Sequence, residues 1–127
     1  MFELTINDTT YQFNFGMGFV REIDPTVTKA IDDVKGKVQH MGLQFAVAGI
    51  IDGDVATLAD VLVRANKGFD PRLTQKEIDR YIEDEDTDID KLFDDVLGFL
   101  KTANATKKTT LTLLEQIEKE KEAAQTA

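Results

Sequence analysis

The densest set of potential ligands in this sequence is the run Glu83-Asp84-Glu85-Asp86-Thr87-Asp88-Ile89-Asp90. Asp84, Asp86, Asp88 and Asp90 alternate as do the first, third, fifth and seventh ligands of a calcium loop, and Asp95 falls at the twelfth place. A hard cation needs oxygen ligands wrapped around a sharp turn, which glycine provides at the sixth place, and a bidentate glutamate at the twelfth. Here the sixth place is Ile89 and the twelfth is an aspartate. A helical apolar stripe also starts at Ile89, inside the supposed loop. The rival reading is a solvated turn whose aspartates favour the positive end of the next helix. The pattern favours that reading; a small acidic calcium-responsive module is the alternative.

Other chemistry finds less support. The one histidine, His40, has no nucleophile or orienting partner at a recognisable spacing. Gly16-Met17-Gly18 is too short for a phosphate-cradling loop. Neither Gly-x-Ser-x-Gly nor His-Glu-x-x-His occurs, and cysteine is absent, which removes disulfides and thiolate sites. No catalytic, cofactor-binding or metal-binding residue is assigned, and the chain reads as a non-enzyme. Tyr11, Phe13 and Phe15 resemble a base-stacking platform, but they alternate with Gln12 and Asn14 rather than with lysine or arginine.

The whole composition points the same way. The chain has 127 residues, the size of one domain. Its net charge of −9 opposes direct binding to nucleic acid or anionic membrane and favours a partner that is basic or is held by apolar patches. No apolar run approaches the roughly 20 residues of a membrane span. The opening "MFELTIND" lacks the basic and apolar blocks of a secretory signal.

Those residues need a frame. Phe2, Leu4 and Ile6 alternate with polar residues, as do Tyr11, Phe13 and Phe15, which is the period of a half-buried strand. With Asn7-Asp8-Thr9-Thr10 as the turn, the pattern predicts a β-hairpin. Gly16 and Gly18 break the strand, a short helix runs to Ile23, and Pro25 stops it. The aromatics from Tyr11 to Phe19 then form a clamp joining hairpin to helices. Residues 26–36 suit either a short helix or an irregular connection. Residues 37–51, including His40 at the start, are apolar on nearly every side and predict a buried central helix, with Gly42 and Gly49 admitting close neighbours.

Asp54 caps a helix carrying Val55, Leu58, Ala59, Leu62 and Ala65, which ends at Asn66-Lys67-Gly68. Thr74 and Glu77 form a capping-box pattern for a short helix with Ile78, Tyr81 and Ile82 inward. Thr87 or Asp88 opens a helix with Ile89, Leu92, Phe93, Val96, Leu97 and Leu100. Residues 102–110 read as a polar connector, and Leu111, Leu114 and Ile117 mark a last helix. The expected fold is α+β and mostly helical: an N-terminal β-hairpin packed on about five helices. Residues 1–110 form one globular domain, and 111–127 a C-terminal helix with a frayed polar tail.

Set in order, these pieces resemble a known family. "ELTINDTTYQFNFGMGFVREID" is similar to the opening of tail assembly chaperones of long-tailed, siphovirus-type phages of Gram-positive bacteria. "MGLQFAVAGIIDGDVATLADVLVRAN" resembles that family's apolar helix and its Ala-Asp-Val-Leu helix. "RLTQKEIDRYIEDEDTDIDKLFDDVLGFLKTANATKK" resembles its capped helix, acidic turn and long helix. The likeness spans roughly residues 2–108 and lapses over 25–37. It implies a protein made in the host bacterial cytoplasm during infection and absent from the mature virion. It also implies that the protein holds the tape measure protein while tail tube subunits polymerise around it. The implied partners are the tape measure protein, the tail tube protein, a longer frameshifted form of the chain, and further copies of the chain. A structural adaptor subunit of a virion is another reading.

A holder that must release its client suits modest apolar patches repeated over many copies. Phe99, Phe69, Leu111, Leu114 and Ile117 are the expected contact residues, with Phe2 and Tyr11 as further candidates. Phe99 lies off its helix's main stripe and is expected to point outward or toward the last helix.

Overall fold

Asn7 and Asp8 alone turn the chain back on itself, with φ of 49° and 65°. The computed structural model describes residues 2–31 and 35–126. Strands β1 (Phe2–Ile6) and β2 (Thr9–Phe13) pair antiparallel, Phe2 opposite Phe13 and Ile6 opposite Thr9. Two left-handed residues match the twist of a two-residue hairpin, and asparagine and aspartate tolerate that geometry. Thr9 and Thr10 therefore belong to the strand and not to the turn. The Thr10 hydroxyl meets that of Thr5 across the ladder at 3.0 Å. Phe2, Ile6, Tyr11 and Phe13 are buried, so the alternating face is the inner one.

Helix α1 (Met17–Ile23) follows Gly16 and runs into a 3₁₀ turn, Asp24–Thr26, with Pro25 inside it. A second hairpin comes next and corrects the sequence reading twice. Strand β3 (Thr28–Ala30) pairs with β4 (Val38–His40), where the pattern suggests a helix or loop and then the start of the central helix. All six strand residues are exposed, so no buried stripe records the pairing. Gly36, at φ 82°, opposes helix before Lys37. His40 thus sits on an exposed strand. Residues 32–34 lie outside the described residues.

Helix α2 (Gly42–Ile51) is shorter than expected, and it is not buried all round. Leu43, Ala46, Val47 and Ile50 face the core, whereas Phe45 is 57 % exposed. Two glycines set its approach. A Cβ at Gly42 would lie 1.9 Å from the Ile23 carbonyl oxygen, and one at Gly49 would lie 2.6 Å from the Thr57 hydroxyl. Asp24 accepts the Leu43 amide at 3.2 Å, so the end of α1 caps the start of α2.

Helix α3 (Val55–Asn66) is capped as expected by Asp54, whose carboxylate accepts from the Ala56 amide and the Thr57 hydroxyl. Helix α4 (Gln75–Glu83) carries the complete Thr74–Glu77 capping box. Asp88, rather than Thr87, caps helix α5 (Ile89–Thr102). Helix α6 (Lys107–Thr126) starts inside the supposed connector and packs on α2 and α5. Thr106 and Thr110 are fully buried there, which polarity alone does not signal. Their hydroxyls donate to the carbonyls of Leu100 (2.8 Å) and Thr106 (2.9 Å), so each small polar group is satisfied inside the joint.

The architecture is α+β and mostly helical. The core runs from Phe13 through Val47, Leu58, Leu62 and Ile78 to Val96 and Leu100. Asn66 lies at its hub, fully buried and bonded on both sides: Nδ2 donates to the Gln12 and Pro71 carbonyls, and Oδ1 accepts from the Leu73 amide and Arg72.

Candidate partner-binding surface

The expected contact residues fall into three environments. Phe99 is half-buried, its ring centroid 5.1 Å from Phe2 and 6.2 Å from Phe15. It therefore turns toward the hairpin and Phe15. Phe2 and Tyr11 are interior residues. Together with Phe13, Phe15 and Phe19 these rings make the clamp that pins the hairpin to the helices.

That clamp has one polar pin. The Tyr11 hydroxyl donates to a Glu77 carboxylate oxygen, while the other oxygen of Glu77 serves the capping box at Thr74. The Tyr11 hydrogen bond, then those from Thr74, hold the Glu77 carboxyl below its usual range. The same bond to Glu77, then burial, pushes the Tyr11 phenol up. One residue thus links helix capping to hairpin docking, and only the first link shows in the local sequence.

Phe69 is half-buried beside a shallow cleft of ≈ 350 Å³ near Phe19, Arg64 and Lys67. Glu22 closes its rim, with the Lys67 amine at 2.7 Å and Arg64 at 3.7 Å. The Lys67 hydrogen bond is the main force lowering the Glu22 carboxyl from its usual range, against a smaller opposing effect of burial.

On α6 the expected stripe splits. Leu111 is 49 % exposed, Leu114 and Ile117 are half-buried, and Leu113 packs against the core. Thr110 and Leu113 form the docking edge, because the helix turns its small Thr110 inward. From Glu118 to Gln125 every residue is exposed.

A fourth surface was not anticipated. Phe45 of α2 stands beside a cleft of ≈ 480 Å³ bounded by α2, the start of α3 and the 3₁₀ turn, with Val27 and Ala48 in its walls. Its signal was present as the one large ring in a helix otherwise aliphatic or small but for the exposed Gln44 beside it, but it was masked by reading the helix as buried on all sides.

The acidic run behaves as local structure. Asp84 accepts the Asp86 amide at 2.9 Å, Asp88 accepts the Lys91 amide at 3.0 Å, and Asp95 pairs with Lys91 at 2.7 Å. Among the described residues, no three His, Cys, Asp or Glu side chains converge as a metal-ion set. None of the described helices is long and apolar enough to cross a membrane. What the molecule offers is exposed apolar side chains on an acidic body.

A family model described as "Phage tail assembly chaperone protein, TAC" matches residues 3–115. No curated protein and no solved structure matches the chain.

Proposed function

Because the chain belongs to the phage tail assembly chaperone family, a non-catalytic kind of role that implies contact with tail proteins, we propose that its client is the tape measure protein. In this reading it holds that client and helps recruit tail tube subunits during tail morphogenesis. The work is done in the host cytoplasm, in a siphovirus-type phage of a Gram-positive host, and the chaperone is absent from the mature virion. A longer frameshifted form and further copies of the chain are additional partners.

The observation that supports this reading is the set of exposed apolar side chains, led by Phe45 and Leu111, on a surface of strongly negative charge. Isolated exposed apolar residues are ordinary. Here Phe45 borders a cleft, and many copies of one weak site provide avidity with stepwise release. Leu111, Leu114, Ile117 and Phe69 keep surface available for such contacts, and Phe99 does so only at the edge left by Phe2 and Phe15.

Co-expression with the tape measure protein tests the proposal. The expected result is a soluble complex from a client that aggregates alone, together with absence of the chain from purified particles by mass spectrometry. A tape measure protein equally insoluble with and without the chain would overturn it.

A further inference from the structure

The cleft beside Phe45 carries information about what fills it. Asp52, Asp54 and Asp60 line it, and among the described residues no lysine or arginine does. Two of these carboxylates already have partners. Asp54 caps α3, and Asp60 pairs with Arg64 at 2.9 Å. Asp52 is exposed, and among the described residues its side chain has no hydrogen bond or ion pair. The cleft therefore presents a large exposed ring, small residues beside it and uncompensated negative charge at one end. Asp52, the residue that caps the end of α2, lies two turns beyond Phe45 with helical backbone, so apolar anchor and charge lie along one face.

We infer that this cleft docks a cationic amphipathic helix of a partner protein. An apolar ridge of that helix packs against Phe45, Ala48 and Val27, and a lysine or arginine on its flank meets Asp52. Small residues such as Ala48 let helix axes come close, and such grooves read anchors at helical spacing. The charge fixes polarity and rejects acidic segments, including the acidic surface of the chain itself. The inference rests on the reading of the chain as a holder of tail proteins and adds the chemistry of the segment held.

The test uses the full chain, isotope-labelled for NMR, and two synthetic helical peptides with identical apolar faces. One is flanked by lysine and arginine, the other by glutamate. The cationic peptide is expected to bind, weaken with salt, and shift resonances at Phe45, Ala48, Asp52 and Thr57. Phe45→Ser and Asp52→Lys should each weaken it by roughly tenfold or more, and Asp52→Lys should improve the acidic peptide. Both positions are exposed, so unchanged thermal melting is expected, and either variant alone suffices if the other is unstable. Equal binding of the two peptides, shifts confined to another face, or variants that bind like the parent would overturn the inference.

Co-expression separates the two readings. A parent chain that holds the tape measure protein while Phe45→Ser and Asp52→Lys hold it equally well defeats the groove and keeps the chaperone reading. A parent chain that holds no tail protein but takes the cationic peptide at Phe45 does the reverse.

Discussion

The rings of Phe2 and Phe99 lie 5.1 Å apart and inclined at 43°, so an aromatic pair ties the first strand to α5. Phe99 also reaches Phe15. The residue expected to point outward or toward the last helix thus lies against the hairpin and Phe15.

Phe99→Ser should therefore destabilise the fold. Partial loss of the ring's burial and of two aromatic contacts is worth about 2 kcal/mol. Urea unfolding would show a lower midpoint with the slope unchanged. Phe13, fully buried, should be more sensitive: Phe13→Ala is expected to cost ~3–5 kcal/mol, a large part of a small domain's stability. A Phe99→Ser protein as stable as the parent would restore Phe99 as a surface residue.

The helices and the first hairpin were legible because each carries its own record: an alternating face, a cap, an apolar stripe. Asp54, Thr74 and Asp88 announce helix starts through local hydrogen bonds that depend on few neighbours. The second hairpin was hidden because Thr28–Ala30 and Val38–His40 bury nothing. Thr110 and Phe45 were misread for complementary reasons, one being polar and inside, the other apolar and outside. Both depend on how α2 and α6 meet, which is a tertiary fact with no local spacing. The candidate surface was hidden for the same reason: the stripe Leu111, Leu114 and Ile117 marked a helix without showing which of its residues stay exposed, and the Phe45 cleft needed the packing of α2 on α3.

Glycines on two helices should respond in opposite directions. Gly42→Ala forces a methyl to within 1.9 Å of the Ile23 carbonyl oxygen, so α2 must move and stability must fall. A Cβ at Gly98, exposed within α5, meets nothing within 4 Å. Gly98→Ala should stabilise by about 0.5–1 kcal/mol through helix propensity alone. Thermal melting of the pair measures both signs.

The Tyr11–Glu77 bond should appear in the pH dependence of stability. Glu77 has a lowered carboxyl, so its contribution is present above the ordinary glutamate range and is lost as pH falls through the folded value. Tyr11 has a raised phenol, so its contribution is present below the ordinary tyrosine range and is lost as pH rises through the folded value. Tyr11→Phe should lower stability near neutrality by ~1 kcal/mol and flatten both arms of the profile. Denaturant titrations across acid, neutral and alkaline pH would show parent and variant converging at both extremes. A constant offset at every pH would mean that the ring, not the hydroxyl bond, carries the effect.

Asn66 provides the severest single test of the helix-to-hairpin joint. Its side chain bridges the Gln12 carbonyl of β2 to the Leu73 amide ahead of α4, at 3.0 and 2.6 Å. In the sequence it reads as one residue of a helix-ending Asn-Lys-Gly, since nothing local shows that its amide is fully enclosed. Asn66→Ala leaves the buried Leu73 amide and the part-buried Gln12 carbonyl without this partner, and a buried group left unsatisfied costs about 1–3 kcal/mol. Asn66→Asp keeps the acceptor for Leu73 but replaces a donor with a buried negative charge facing the Gln12 carbonyl, so near-isosteric shape should not rescue it. At neutral pH both variants should melt well below the parent. Acidification should recover Asn66→Asp in part, because a protonated carboxyl can donate again, whereas Asn66→Ala should show no such recovery. Equal pH profiles for the two variants would locate the defect in lost packing and remove the hydrogen-bonded bridge as its cause.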